Sequence, residues 1–423
     1  MTDGPTEPAW RPLIVDAERV GQLRAAITEV VEATAAWRAA HPTDGTEDAD
    51  YATLRSYLAA DELVPDPDDA AGEALGKAVA GVAERAEPGL YGGAARILFA
   101  VGHLSAGEDA DTACGMIERS LHAFLAAPNI NYDLISGLAG LAVPVLQRIA
   151  DGSPSPHSEP LALRILEQLE ALAEARPVGL RWHTPPDLLP AWQRELAPEG
   201  YFNYGLAHGM PGIAAVLARY VASGIEVARA RRLLDGVMAH MQDVALPERG
   251  SRFPGWLGAS RPQGTARVAW CYGDLGVAVA AIAAASATGR DDWRQFGLEL
   301  AHGMAERPLD KSQCIDTGLC HGTAGVGHLF NRLAQATGDA DLAAAAARYL
   351  DQTLRLRNAE PVAGFPRGIP ADGHVTWEPA SDLLTGAAGV ALAFHAAISP
   401  IEPAWDQLLL SDLSPGSSGP GAG

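Results

Sequence analysis

The amino-acid sequence predicts an all-α protein in which pairs of helices close into a double toroid, with an inner and an outer barrel. Three observations support this prediction: a glycine-rich turn that recurs along the chain, an apolar helix pattern after each turn, and an amphipathic helix pattern between one apolar helix and the next. A helix that is apolar all round must be buried on every side. A closed ring of helix pairs buries such helices, whereas an open array would expose one of their faces.

The recurring turn occurs six times, and five of its copies carry two glycines separated by two residues. The copies begin at Gly92, Ser136, His208, Tyr272, His321 and Thr385. In the first copy, Arg96 stands where the second glycine is expected. Glycine permits positive φ and a close approach of backbones, which a tight turn into a buried helix requires. In a ring all these turns lie on one face, so the residues beside them should converge there.

The segments between the turns carry charges at intervals that leave a single apolar stripe, which is typical of a helix packed on one side. We predict such outer helices over Asp109–Leu125, Pro160–Ala175, Val227–Gln242, Asp291–Glu306 and Asp339–Leu356. Strand-like patterns are few, and Phe253–Leu257 and Val375–Trp377 are the candidates for short extended pieces. The chain should therefore alternate inner and outer helices over most of its length.

The pattern divides the chain into three regions. Residues 1–89 are predicted to form an N-terminal helical segment and the first, degenerate units of the ring, and residues 90–412 are predicted to form the α/α toroid. Residues 413–423 are rich in glycine, serine and proline, which predicts a disordered tail. The proline-rich segment Arg176–Tyr201 should be an ordered loop, and at the mouth of a ring such a loop could cover a site.

The composition argues against several classes of protein. A net charge of −21 is unfavourable for a nucleic-acid binder, which needs clustered lysine and arginine. We find no apolar run of about 18 residues and no signal peptide at the start, so we expect no membrane span and a cytoplasmic location. The four cysteines of a cytoplasmic chain are expected to be metal ligands or core residues and not disulfides.

Cysteine and histidine side chains stand directly beside two of the turns. Cys271 lies just before the glycine of the fourth turn, and Cys320 and His321 lie just before that of the fifth. Two thiolates and one imidazole suit zinc, and three protein ligands leave a fourth position open, as in a catalytic site. The spacing is not that of a zinc finger, so the prediction depends on the equivalent positions in adjacent repeats. Cys114 and Cys314 are predicted to be ordinary buried residues.

Two further histidines are predicted to be structural although they resemble site residues. His302 lies in the same Leu-Ala-His-Gly-Met sequence that surrounds His208, but it falls in an amphipathic outer helix. His328 lies inside the apolar helix that follows the fifth turn, where a hydrogen-bonded core histidine is expected.

The turn sequences together resemble those of the lanthionine synthetase C-like family, the lantibiotic cyclases. The matching segments are Asp133 with the following Ser-Gly-Leu-Ala-Gly, Leu206–Gly212, Arg267–Gly273 and Cys320–Gly325. The resemblance extends from about Leu90 to Ala397. The family fold has seven inner and seven outer helices, so one inner helix lacks a glycine turn here. This helix is either a degenerate one or the segment Tyr51–Ala60.

The resemblance implies a site and an activity. It implies zinc held by Cys271, Cys320 and His321, an acid/base role for His208, and a site lining that includes Asp133, Arg267 and Tyr272. The implied reaction adds cysteine thiols of a dehydrated precursor peptide, bound by its leader and core, to dehydroalanine and dehydrobutyrine. A companion dehydratase and an export complex are the further partners that we expect. The protein would act in the cytoplasm, alone or at the periphery of a membrane-associated biosynthetic complex.

Three alternatives remain open from the sequence. The same metal site could serve a relative that adds another thiol, such as glutathione, to dehydroamino acids. A non-catalytic, peptide-binding toroid would carry zinc as a structural element, but it would not need His208 and Asp133. An unrelated helical toroid that hydrolyses sugars would need a pair of carboxylates. The candidates for such a pair near the turns are Asp133, Asp274, Asp316 and Asp382.

Overall fold

The computed structural model describes residues 10–82, 87–127, 130–247, 250–258, 265–358, 361–371 and 374–414. The α-helices are α1 Ala17–Ala40, α2 Gly45–Ala60, α3 Ala70–Val82, α4 Ala94–Leu104, α5 Glu108–Phe124, α6 Leu138–Ala150, α7 Ser158–Ala171, α8 Ala191–Leu196, α9 Met210–Ser223, α10 Val227–Val244, α11 Asp274–Thr288, α12 Asp291–Ala305, α13 Thr323–Thr337, α14 Ala340–Arg355 and α15 Ala387–Ile398. The strands are β1 Ala173–Ala175, β2 Leu180–Trp182, β3 Phe202–Asn203, β4 Trp256–Leu257, β5 Arg367–Ala371 and β6 His374–Glu378. Among the described residues no helix is both long and apolar enough to cross a bilayer.

Each glycine-rich turn opens a buried helix, as the sequence predicts. A glycine precedes the first residue of α4, α6, α9, α11, α13 and α15, and side chains are buried along most of each of these helices. Gly273 shows the reason for glycine, because its φ is +100° and an added Cβ would lie 2.2 Å from the carbonyl oxygen of Arg267. No side chain fits that contact, so the turn into α11 requires glycine.

The amphipathic helices pack with one face against the buried ones. α5 packs on α4, α7 on α6, α10 on α9 and α14 on α13. The buried side of α10 shows the predicted stripe, with Leu233, Leu234, Val237 and Met241 facing inward at helical spacing. This arrangement confirms the alternation of buried and one-sided helices.

The chain contains two compact units. In the unit formed by Asp44–Ala49 and Gly72–Met304, the buried helices α4, α6, α9 and α11 contact one another in chain order. Because these helices are consecutive in the repeat, their opening turns are brought side by side. Backbone hydrogen bonds join the turns directly, from Leu134 N to the Ala207 oxygen at 3.1 Å and from Ala207 N to the Cys271 oxygen at 3.5 Å.

In the unit formed by Met1–Thr43, Asp50–Ala71 and Ala305–Gly423, α15 packs against both α13 and α1. The part of α2 from Asp50 onward is also buried here, with Ala52, Leu54 and Leu58 inaccessible to solvent. The Asp50 carboxylate accepts a hydrogen bond from Leu383 N at 2.8 Å, in the turn before α15. The segment Tyr51–Ala60 is therefore part of the longer helix α2, and most of its side chains from Tyr51 to Leu58 are buried; that it is the first inner helix stays a prediction.

A buried ion cluster ties the C-terminal segment to α13. Asp406 lies in a short 3₁₀ helix, Ala404–Leu409, and its carboxylate accepts hydrogen bonds from Arg332 Nε at 2.6 Å and from His328 Nε2 at 2.7 Å. All three side chains are inaccessible to solvent. His328 is thus the hydrogen-bonded core histidine that the sequence predicts.

The strands form three separate antiparallel pairs: β1 with β2, β3 with β4, and β5 with β6. β4 lies within Phe253–Leu257, the first segment expected to be extended, and β6 contains Val375–Trp377, the second. The proline-rich loop is ordered and contains β2, a 3₁₀ turn and the short helix α8, and a bridge between Thr184 and Tyr201 closes it. Leu413 is buried, and residues 415–423 of the predicted tail lie outside the described part of the chain.

Candidate functional site: a metal-ligand group beside an acid–base pair

The turn before α9 holds a histidine–carboxylate pair. Nδ1 of His208 lies 2.7 Å from Oδ2 of Asp133, which belongs to the turn before α6. Asp133 is buried, and its other oxygen accepts a hydrogen bond from Ser136 N at 3.0 Å. The Ser136 amide therefore fixes one oxygen of the carboxylate, and the other oxygen orients the His208 ring. Because a carboxylate can only accept here, Nδ1 carries the proton and Nε2 is the atom that can exchange one.

The surroundings of His208 favour its protonated form. Burial lowers the pKa of His208, but the hydrogen bond and charge of Asp133, with the charge of Cys271, outweigh burial and raise the pKa above its ordinary value. The His208 side chain is still 39% exposed, so a substrate can reach it. An accessible imidazole with a raised pKa is suited to donating a proton near neutral pH.

Tyr272 lies beside this pair, with its ring centroid 6.2 Å from that of His208. Its hydroxyl accepts a hydrogen bond from Nδ2 of the buried Asn203 at 3.3 Å, and Oδ1 of Asn203 accepts one from Gly205 N at 2.8 Å. A Cβ on Gly205 would lie 2.3 Å from the Cys271 oxygen. Asn203 and Gly205 thus set the packing of two turns. The sequence analysis did not identify either residue as important for the site. The sequence feature that could have indicated them is an asparagine two residues before a glycine, Asn203-Tyr204-Gly205.

Arg267 contributes to the same region through its backbone. Its carbonyl oxygen lies against Gly273, and its side chain is half-buried. Within the described residues no hydrogen bond or ion pair joins the Arg267 guanidinium to Asp133. A role in stabilising substrate charge therefore stays a prediction for this residue.

The three predicted metal ligands come together. One ligand atom from each of Cys271, Cys320 and His321 can be chosen so that all three lie within 4.8 Å of one another. Cys271 is buried and the other two residues are half-buried. Two sulfur atoms and one imidazole nitrogen are a donor set that is compatible with zinc.

The aspartates that could form a glycosidase pair are engaged in holding turns. Asp274 is buried, and it accepts hydrogen bonds from Phe253 N at 2.9 Å and Arg252 N at 2.6 Å. Asp382 accepts one from Thr385 N at 2.7 Å. Because these carboxylates serve the backbone, they give little support to a sugar-hydrolysing site.

Cys114, Cys314 and His302 do not belong to the metal-ligand group found among the described residues. Cys114 is buried in α5, and burial raises the pKa of its thiol to about 11, which makes it a poor thiolate ligand. Cys314, which we expected to be buried, is half-buried and lies ahead of the fifth turn. His302 lies on the outer-type helix α12, as predicted.

Comparisons with known proteins place the chain in a family. A family model described as "Lanthionine synthetase C-like protein" matches residues 52–410, which begins well before the resemblance that we traced from the turns. Among solved structures, "Nisin cyclase" is similar with a TM-score of 0.71 and 19% identity, over 92% of this chain and 98% of that one. A "sugar epimerase from ruminal bacterium" is similar with a TM-score of 0.45 and 13% identity, over 72% and 86% of the two chains. No curated protein sequence matches.

The likeness to nisin cyclase establishes the fold and confirms the prediction of an all-α, helical toroid. The family model covers most of the chain, including all the turns that carry the candidate site. The chain belongs to the lanthionine synthetase C-like family.

Proposed function

We propose that the protein is a zinc-dependent lanthipeptide cyclase. It would add cysteine thiols of a dehydrated precursor peptide to dehydroalanine and dehydrobutyrine, forming lanthionine and methyllanthionine rings. One observation carries the proposal: the turn with the acid–base residue His208 is hydrogen-bonded, from Ala207 N to the Cys271 oxygen, to the turn that supplies a metal-ligand candidate. The name of the similar structure, nisin cyclase, agrees with this activity.

The metal would be held by Cys271, Cys320 and His321. A cysteine thiol has a pKa of about 8.5 and is mostly protonated at neutral pH, so it is a weak nucleophile. When bound, zinc would supply the chemistry that lowers the pKa of the substrate thiol and presents it as a thiolate. Because these three residues would supply three donor atoms, a substrate thiol could reach the metal.

The remaining chemistry belongs to the side chains of this protein. In the addition, a C–S bond forms at the β-carbon of the dehydroamino acid and the C=C π pair moves towards the α-carbon and the adjacent carbonyl. The α-carbon then needs the proton that the thiol has lost. His208 can take up that proton at Nε2 and return it, so the overall reaction neither consumes nor releases protons. Asp133 would hold the ring in the correct tautomer and stabilise its protonated form.

The other predicted residues would act on the substrate peptide. Tyr272 lies beside the His208 ring and would line the place where the α-carbon is protonated. Arg267 would stabilise the negative charge that develops on the substrate carbonyl. A companion dehydratase must supply the dehydrated peptide, and an export complex at the membrane would receive the product. The cyclase itself would act in the cytoplasm or at the periphery of that complex.

Replacing His208 with alanine tests the acid–base assignment. We expect His208→Ala to keep its zinc and to lower the rate of ring formation by about 10²- to 10⁴-fold, the usual contribution of a general acid. Cyclisation leaves the peptide mass unchanged, so it is followed as the loss of alkylatable thiols on a dehydrated peptide. His302→Ala is the matched control, because it removes a histidine from the same local sequence on an outer helix.

Normal cyclisation by His208→Ala would show that another group delivers the proton, and a large loss in His302→Ala would reject the distinction between the two histidines. The same assay with added glutathione separates the alternatives. A glutathione adduct in place of an internal ring would identify a different thiol substrate, and binding of peptide without any thiol loss would identify a non-catalytic toroid.

A further inference from the structure

A buried carboxylate lies behind one of the candidate metal ligands. Asp316 is inaccessible to solvent, in the loop that leads to the turn before α13. Its Oδ2 accepts a hydrogen bond from Gly368 N in β5 at 3.1 Å, and its Oδ1 accepts one from Gly318 N at 3.4 Å. Two backbone segments therefore fix the orientation of this carboxylate.

The same Oδ2 lies 3.5 Å from Nε2 of His321. A carboxylate beside one ring nitrogen favours the proton on that nitrogen, and the other nitrogen then carries the lone pair that a metal requires. Asp316 is not a member of the group of three ligand candidates that the described residues contain. Asp316 therefore lies where it contacts the candidate metal ligand His321 and would not bind the metal itself.

We propose that Asp316 is a positioning residue of the metal centre. It holds the His321 ring with Nε2 protonated, so that Nδ1 would carry the lone pair that His321 offers to the metal. This inference rests on the proposed zinc site and adds to it the tautomer and orientation of its single nitrogen ligand. Removing such a supporting carboxylate typically weakens metal binding by about 10- to 100-fold.

A purely structural role is the alternative, since Asp316 also holds its own loop. Asp382 provides the comparison, because it stabilises the next turn in the same way: its Oδ1 accepts a hydrogen bond from Thr385 N at 2.7 Å, and its Oδ2 contacts the Thr385 hydroxyl at 3.0 Å. Asp382→Asn thus measures how much zinc affinity changes when a carboxylate that only stabilises a turn is replaced.

Zinc affinity, measured by competition with a chromophoric chelator, tests the proposal. We expect Asp316→Asn to weaken zinc binding by about 10- to 100-fold and Asp382→Asn to leave it unchanged. The decisive comparison repeats Asp316→Asn in a His321→Cys background, which keeps a third donor atom for zinc but removes the imidazole. If Asp316 acts through His321, its replacement causes no further loss once the imidazole is absent, because the two changes remove the same interaction.

Unchanged affinity in Asp316→Asn, or an equal loss in the presence and absence of His321, would overturn the proposal. If Asp316→Asn does not fold, the same cycle is measured with Asp316→Glu, which keeps the charge and displaces the carboxylate. A folded wild type that binds no zinc would instead reject the zinc site of the proposed function, and this inference with it.

Discussion

The Cys320→Ala variant is expected to bind no zinc and to lose thioether formation completely while it keeps its helical structure. Cys320 is half-buried and supplies one of three donor atoms that lie within 4.8 Å of one another. Two remaining donors hold zinc far more weakly than three, and without the metal a substrate thiol with a pKa of about 8.5 stays mostly protonated. Metal content per chain by elemental mass spectrometry and the thiol-loss assay measure the two effects.

Cys314→Ala is the matched control for this variant. Cys314 lies on the same segment of the chain and is half-buried like Cys320, but it does not belong to the ligand group. It should keep one zinc per chain and normal activity. Full zinc content in Cys320→Ala would remove this residue from the ligand set. Loss of zinc in Cys314→Ala would mean that cysteine replacement disturbs the whole segment.

The second large effect is expected in the stability of the fold. Asp406→Ala removes the acceptor for two hydrogen bonds from Arg332, at 2.6 and 3.0 Å, and for one from His328 at 2.7 Å. The guanidinium of Arg332 would then keep its charge in a buried environment without its main partner. Breaking a buried pair in this way typically costs about 3 to 5 kcal/mol of the free energy of unfolding. Denaturant unfolding followed by circular dichroism measures the change.

Glu402→Ala serves as the control, because Glu402 also pairs with Arg332, at 2.7 Å, but is 46% exposed. Pairs at the surface contribute about 0 to 1 kcal/mol, so this variant should be nearly as stable as the wild type. Equal losses of the free energy of unfolding in the two variants would show that Asp406 is not the residue through which the cluster stabilises the fold.

The same cluster predicts how stability depends on pH. Burial raises the pKa of Asp406, but the charges and hydrogen bonds of Arg332 and His328 outweigh burial and lower it below the ordinary value for a carboxyl group. A carboxyl group with a lowered folded-state pKa stabilises the protein above its unfolded-state pKa, about 3.9, and this contribution is lost as the pH falls below that value. Asp406→Asn should therefore flatten the decline in stability below about pH 4. A decline as steep as that of the wild type would assign the acid sensitivity to other groups.

Local features of the sequence were sufficient to predict the repeating helices. Glycine pairs such as that at Gly273 mark places where a Cβ would collide with a neighbouring carbonyl oxygen, and apolar patterns show which helices are buried on all sides. Both signals depend on residues that are close together in the chain. They also place Cys271 and Cys320 at equivalent positions of adjacent repeats, with His208 directly before the glycine of the preceding turn, and a shared site could be expected from this placement before any coordinates were known.

The tertiary structure decided the features that depend on contacts between distant residues. Tyr51–Ala60 has no glycine turn, and its burial became evident only from the packing around α2. The contacts of Asp316 with Gly368 and His321 join segments whose spacing carries no local pattern. The ion cluster of Asp406 likewise forms with partners on a different helix. Periodicity reports which face of a helix is buried, whereas the partner of a buried charge is selected by three-dimensional packing, which one-dimensional spacing does not encode.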